Sequence, residues 1–183
     1  MRKLATLLLC LVACKNAPPK RAEPLVADAK TYYPLEVGNS WTYEVRGSQE
    51  KAVIEVIGRD GEWFLDDHRG RLRYEEGGVR DADRFLLRMP LAAGTRWTAV
   101  ENLVVQHFEI VGADSSVVTQ AGTFIHCIVV RTSSTVKKDL TFVTEWTYAP
   151  HVGIAQIVTS TVDAHGKVDE QTRLSLVAVH LAQ

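Results

Sequence analysis

The sequence predicts an all-β domain, an antiparallel meander of roughly 10–12 short strands forming a strongly curved sheet, half-barrel or barrel. Three observations predict it. From Asn39 onward, β-branched and aromatic runs recur at intervals of roughly 8–14 residues, with turn residues between them. No stretch of ten or more residues sustains a helical period with caps. Several runs are apolar on both faces, which a sheet wrapped around a core covers better than a flat one.

The elements follow in order. Trp41–Val45 ends at Arg46-Gly47-Ser48, and Ala52–Ile57 ends at Gly58-Arg59-Asp60-Gly61, where Asp-Gly tolerates positive φ and signals a hairpin. Trp63–Leu65 leads to a turn at Arg69-Gly70, and Arg71–Glu75 alternates until Gly77-Gly78. Further strands are expected at Arg84–Met89, Arg96–Asn102, Val104–Val111, Val117–Gln120, Phe124–Thr132, Leu140–Tyr148, Ile154–Val162 and Arg173–His180. Within Leu140–Tyr148, residues 140, 142, 146 and 148 are large and apolar, but the rhythm breaks at Val143-Thr144, which predicts a bulge. Near the C-terminus, Leu174, Leu176, Ala178 and His180 are expected on one face and Ser175, Val177, Val179 and Leu181 on the other.

A nine-residue pattern occurs twice. Pro34-Leu35-Glu36-Val37-Gly38-Asn39-Ser40-Trp41-Thr42 returns 56 residues later as Pro90-Leu91-Ala92-Ala93-Gly94-Thr95-Arg96-Trp97-Thr98. Proline blocks a ladder, glycine allows a left-handed turn, and tryptophan opens the next strand. Each copy should make the same corner, with its indole capping one end of the core. A paired aromatic clamp on a ligand is the functional alternative; a structural corner is favoured because aromatics in small β domains are usually core. Glu145–Gly153 is a partial third copy.

The chain starts with Met1-Arg2-Lys3, an apolar run from Leu4 to Val12, and Ala13-Cys14. A basic start, a short apolar stretch and small residues before a cysteine describe an export signal. The run stops near nine residues where a membrane span needs about 20. Leu11-Val12-Ala13-Cys14 resembles the lipobox of bacterial lipoprotein precursors. That resemblance implies cleavage before Cys14, lipidation of its thiol and acylation (palmitate or similar) of its new amino group. Cys10 is the poorer anchor because bulky Leu9 precedes it. Residues 1–13 are therefore expected as signal peptide, 14–31 as lipidated cysteine and tether, and 32–183 as one β-rich domain. Pro18, Pro19, Pro24, Lys20, Arg21 and Glu23 give the tether its solvated, extended composition. Lys15, rather than aspartate, follows the anchor; the sorting rule known for many Gram-negative lipoproteins then implies the outer membrane.

Three blocks carry a second resemblance. Tyr33-Pro34-Leu35 with Gly38 and Trp41-Thr42-Tyr43, then Ala121-Gly122-Thr123-Phe124 with Cys127, then Trp146, Tyr148-Ala149-Pro150 and Val152-Gly153 resemble blocks of uncharacterised bacterial exported proteins and lipoproteins. This implies a β-rich envelope domain and no particular activity.

Composition narrows the function. The precursor has 21 basic and 22 acidic side chains, and loss of residues 1–13 leaves 19 against 22. No basic run stands out, so nucleic acid is excluded as the expected partner. After processing, Cys127 is the remaining free thiol; in the apolar run Phe124–Val130 it reads as a buried small hydrophobe. The six histidines (His68, His107, His126, His151, His165 and His180) form no HExxH or HxH, and no CxxC, GxSxG, GxGxxG or phosphate loop occurs. A distant pairing such as His107 with His126 is the one zinc arrangement weighed. Asp66-Asp67-His68 and Asp81-Ala82-Asp83 stand beside turns, where aspartate bonds nearby backbone. No catalytic residue, metal ligand or cofactor is therefore expected, and Cys14 is the one assigned site. The expectation is a non-catalytic envelope lipoprotein, held to the membrane by its lipid, with a structural or protein-binding role and an envelope protein as partner. The alternative is a carrier that encloses a lipid or other apolar small ligand within the curved sheet.

Overall fold

The structure is a computed structural model and describes residues 28–101 and 103–182. The lipobox, Cys14 and most of the expected tether lie outside these residues. One helical turn, α1 (Ala29–Tyr32), precedes twelve strands. These are β1 (Ser40–Val45), β2 (Lys51–Asp60), β3 (Trp63–Asp66), β4 (Arg71–Glu75), β5 (Gly78–Arg80), β6 (Phe85–Arg88), β7 (Arg96–Glu101), β8 (Val104–Thr119), β9 (Gly122–Lys137), β10 (Leu140–Ala149), β11 (Gly153–Asp163) and β12 (Val168–His180). All form one sheet in the order β6-β5-β4-β3-β2-β1-β12-β11-β10-β9-β8-β7, and each neighbouring pair is antiparallel. The first and last strands thus meet at the centre, and β6 and β7, consecutive in sequence, are the two edges.

The sheet curls until those edges face each other, and side chains close the seam. Trp97 Nε1 on β7 donates to Phe85 O on β6 at 2.9 Å. The Tyr148 hydroxyl, reaching across from β10, donates to Leu86 O at 3.2 Å. Arg84 reaches Glu101 at 2.8 Å and Gln106 at 2.6 Å. The result is a nearly closed, barrel-shaped sheet. Its free carbonyls at β6 are covered from inside, which removes a template for edge pairing.

Inward-facing residues fill the barrel. Tyr43, Val79, Leu87, Ile110, Ile128, Val130, Tyr148 and Leu176 are each at most 2 % exposed. Burial of a side chain of this size contributes about 1.5–3 kcal/mol. Trp97 stacks on Phe108 with ring centres 5.2 Å apart, and Tyr33 meets Trp41 edge-on at 6.2 Å. Towards the opposite end the inner face becomes polar: Thr132, Thr144 and Thr159 lie side by side on β9, β10 and β11, with the last two hydroxyls 3.4 Å apart. The outer face carries charge. Arg96, Glu109, Arg131 and Glu145 are direct cross-strand neighbours over β7 to β10, with ion pairs of 2.9 Å and 2.6 Å at the two ends of the row. A barrel facing lipid would need an apolar band there instead.

The structure corrects several local expectations. β8 is one strand from Val104 to Thr119, with pairing irregularities between Ile110 and Val117 in place of the expected gap. β5 lies where Gly77-Gly78 suggested only a stop. In the β2–β3 hairpin Asp60 pairs with Trp63, so Gly61 and Glu62 make the turn. No bulge falls at Val143-Thr144; Thr144 takes an inward position and is buried, while Phe142 lies at the rim, 39 % exposed. A β12 bulge sits at Val177, between Leu176 opposite Tyr43 and Ala178 opposite Thr42. It turns Val179 inward and leaves Ala178 and His180 exposed, so the four-residue face expected there is split. Packing begins at Ala29, 2 % exposed, inside the segment expected as tether.

Candidate functional site

The end of the barrel that α1 covers is where the sequence blocks converge. Asp28 caps the short helix, and Thr31 O accepts from His151 N in the β10–β11 turn at 2.6 Å. The Tyr32 hydroxyl donates to His126 O on β9 at 2.8 Å. Tyr33, Pro34 and Leu35 then run across the barrel mouth; Tyr74 accepts from Leu35 N at 2.6 Å and donates to Tyr33 O at 3.0 Å.

The two copies of the nine-residue pattern make the same corner, bond for bond. Gly38 and Gly94 have φ of 94° and 89°, in the region that favours glycine. Gly38 N donates to Val56 O, and Gly94 N to Ile110 O, both at 2.8 Å. Asn39 Nδ2 donates to Pro34 O at 2.9 Å, and Thr95 Oγ1 to Pro90 O at 2.8 Å. Each indole then donates to a distant carbonyl: Trp41 to Val152 O at 2.6 Å, Trp97 to Phe85 O at 2.9 Å. With exposures of 3 % and 5 %, neither ring is open to a ligand. The corner is structural.

The later blocks meet on the other side of the sheet. The β8–β9 hairpin folds back so that Ala121 N donates to Leu176 O at 3.2 Å and Gln120 reaches Glu44. Cys127, Ala149 and Ala155 form a second small core there, with Val117, Phe124 and Val152 packed against it. Cys127 is a fully buried free thiol, pushed up to about 11 by burial, so it stays protonated at neutral pH. Burial likewise raises the hydroxyls of Tyr43 and Tyr148. They act as hydrogen-bond donors to Ile154 O and Leu86 O. At this end the polar aromatic groups fasten one strand to another.

The other residues weighed from sequence are dispersed. His107 pairs with Ser133 on β9, seven residues along the strand from His126. His126 Nδ1 instead lies 2.7 Å from Asp114, in the open. His68 is exposed and raised above its usual range by its bond to Val53 O and by Asp67. Asp66 Oδ1 accepts from His68 N and Gly70 N, and Asp81 Oδ1 from Asp83 N and Arg84 N, the turn-forming role expected of both. Among the described residues, no three His, Cys, Asp or Glu side chains gather in a metal-holding group.

Hollows open on the outside, two of them beside charged residues. One, of about 350 Å³, lies on the outer sheet face between Arg131, Glu145, Val143, Val158, Val162 and Val168. The other, of about 530 Å³, lies beside the mouth between Lys30, Glu36, Val37, Tyr74 and Leu181. Sequence reasoning did not identify either, because each is assembled from segments distant in the chain.

No protein-family model matches the chain, and no curated protein matches it. Three solved structures are similar to the chain over most of its length. A candidate lipoprotein from Parabacteroides distasonis is 13% identical, with TM-score 0.48, over 82% of this chain and 98% of that one. A candidate exported protein with YmcC-like fold from Bacteroides fragilis is 13% identical, with TM-score 0.46, over 82% and 99%. The hypothetical lipoprotein YmcC from Escherichia coli is 11% identical, with TM-score 0.40, over 84% and 90%.

Proposed function

We propose that this chain is an envelope lipoprotein, anchored through acylated Cys14, whose barrel has no catalytic role and serves as a structural or protein-binding body. The lipobox Leu11-Val12-Ala13-Cys14 supports the anchor, and Lys15 supports the outer membrane of a Gram-negative bacterium. One observation carries the non-catalytic reading: buried side chains fill the barrel's interior at the converging end. Its indole and tyrosine donors are spent on main-chain carbonyls, and its thiol is protonated and enclosed. The runner-up, a carrier with an internal cavity, would need the space that Trp41, Tyr43, Tyr148 and Leu176 occupy.

Native mass spectrometry after gentle extraction, combined with cross-linking in intact cells, tests the proposal. The expected result is the mass of the acylated chain alone, together with cross-links to one envelope protein. A stoichiometric apolar molecule that stays with the chain would establish the carrier instead.

A further inference from the structure

The β7–β8 hairpin exposes apolar side chains where a water-facing turn would carry polar ones. Val100 and Val105, a cross-strand pair, are 63 % and 48 % exposed, Val104 is 44 % exposed, and Leu103 at the apex is 98 % exposed. Leu103 also holds φ of 66°, a conformation in which glycine or asparagine would be the unstrained choice. Neither propensity nor core packing accounts for leucine there. The same end of the barrel carries Phe142 at the rim, Val168 at 63 %, and the β9–β10 and β11–β12 turns. Exposed Lys137 at the end of β9, with Lys138 and Lys167 in those turns, lies at the same end as the apolar tip. Of the nearby acids, Glu101 is bound by Arg84 and Asp163 is folded onto the N–H groups of His165 and Lys167, while Asp83, Asp139 and Asp169 stand exposed.

We infer that this end docks on an anionic phospholipid surface, with Leu103 and its valines entering the interface and the lysines meeting the headgroups. The chemistry matches that of interfacial anchors, an apolar wedge with a basic rim. The inference rests on the lipid-anchored reading above, which keeps the domain beside a bilayer. The anchor's position permits it. Chain leaves the barrel at Asp28, beside the β10–β11 turn, at the end opposite the tip. The 14 residues after Cys14 reach on the order of 45 Å when extended. The 11 residues of β11, which runs from one end of the barrel to the other, span roughly 35 Å, less along the axis of a tilted strand. The tether can therefore run the length of the body, and the barrel can lie with its tip on the surface that holds its lipid.

Site-specific fluorescence tests this on the full acylated chain. Cys127 is buried and Cys14 is consumed by lipid, so a Leu103→Cys variant takes an environment-sensitive nitrobenzoxadiazole label at one place. In 3:1 phosphatidylethanolamine:phosphatidylglycerol vesicles the label should shift to the blue and be quenched at least twofold by brominated acyl chains. The same label at Val118→Cys, exposed at the far end, should not respond, and 0.5 M NaCl or a Lys137→Glu/Lys138→Glu/Lys167→Glu variant should reduce the quenching. No quenching at position 103, equal quenching at both positions, or protection of the label by self-association of the chain without lipid would overturn the inference. Acylation is read separately from intact mass. Should the chain prove unacylated, the anchor reading falls on that result alone. The Leu103→Cys variant with Cys10 and Cys14 replaced by serine, labelled at that one position and added to the same vesicles, then still decides the docking: quenching at 103 upholds it, and none overturns it.

Discussion

Cys127 shows how one burial decides the character of a residue. Its thiol has a raised pKa in the folded state, about 11, because the second small core excludes water from the thiolate. The unfolded thiol titrates lower, so its contribution to stability is complete below about pH 8.5 and fades as pH rises towards 11. Native protein at pH 8 should leave a disulfide-exchange reagent such as Ellman's unreacted and consume one equivalent per chain on unfolding. Rapid reaction in the native state would show that the Ala149–Ala155 contact opens. Gly153 is the complementary case. It holds φ of 104°, and a Cβ there would stand 2.9 Å from Trp41 Nε1. Gly153→Ala should lower the unfolding free energy by about 2–4 kcal/mol in urea titration, since strain and a displaced indole act together.

At the scale of elements, the repeated corner supplies its own control. The two copies share their glycine geometry and their proline-carbonyl bond, but their surroundings differ. Asn39 is 2 % exposed and its Oδ1 also accepts from Ala182 N at 2.8 Å, tying the C-terminal tail to the mouth, whereas Thr95 makes its bond in the open. Asn39→Ala should therefore cost about 2–3 kcal/mol and Thr95→Ala under about 1, measured by the same titration. Equal costs would mean that the tail adds nothing. The seam gives a second test. Trp97→Phe keeps the stack on Phe108 but removes the donor to Phe85 O, and should cost about 1–3 kcal/mol. Amide exchange should rise first in β6 and β7, the strands that share no ladder.

At the scale of the molecule, the proposed function divides the work between a water-facing barrel and a lipid anchor. The outer charge row, Arg96–Glu109–Arg131–Glu145, keeps the wall in solvent and adds little stability, because exposed pairs are worth about 0–1 kcal/mol. On that proposal, retention at the membrane depends mainly on Cys14. Cys14→Ser should move the chain from the detergent phase to the aqueous phase in a Triton X-114 partition, with its far-UV spectrum unchanged. Continued detergent partitioning of that variant would contradict the anchor.

Much of this molecule was legible along the chain. Alternation and spacing sufficed for the antiparallel meander, because side chains in a strand repeat every two residues whatever their partners. The repeated corner was legible because proline, glycine and tryptophan each impose a local constraint, and Asp66 and Asp81 because their bonds reach only two to four residues away. Where the order of contacts is long-range, the sequence was silent. Nothing local pairs β1 with β12, places a β12 bulge at Val177, or folds the β8–β9 hairpin back to bury Cys127 against Ala149. Nor does any local pattern reveal that the sheet closes through Trp97, Tyr148 and Arg84 rather than through a ladder, or that Leu103 stands fully exposed at one end. Periodicity specifies which face of a strand seeks a core. Only the closed sheet decides what that face meets.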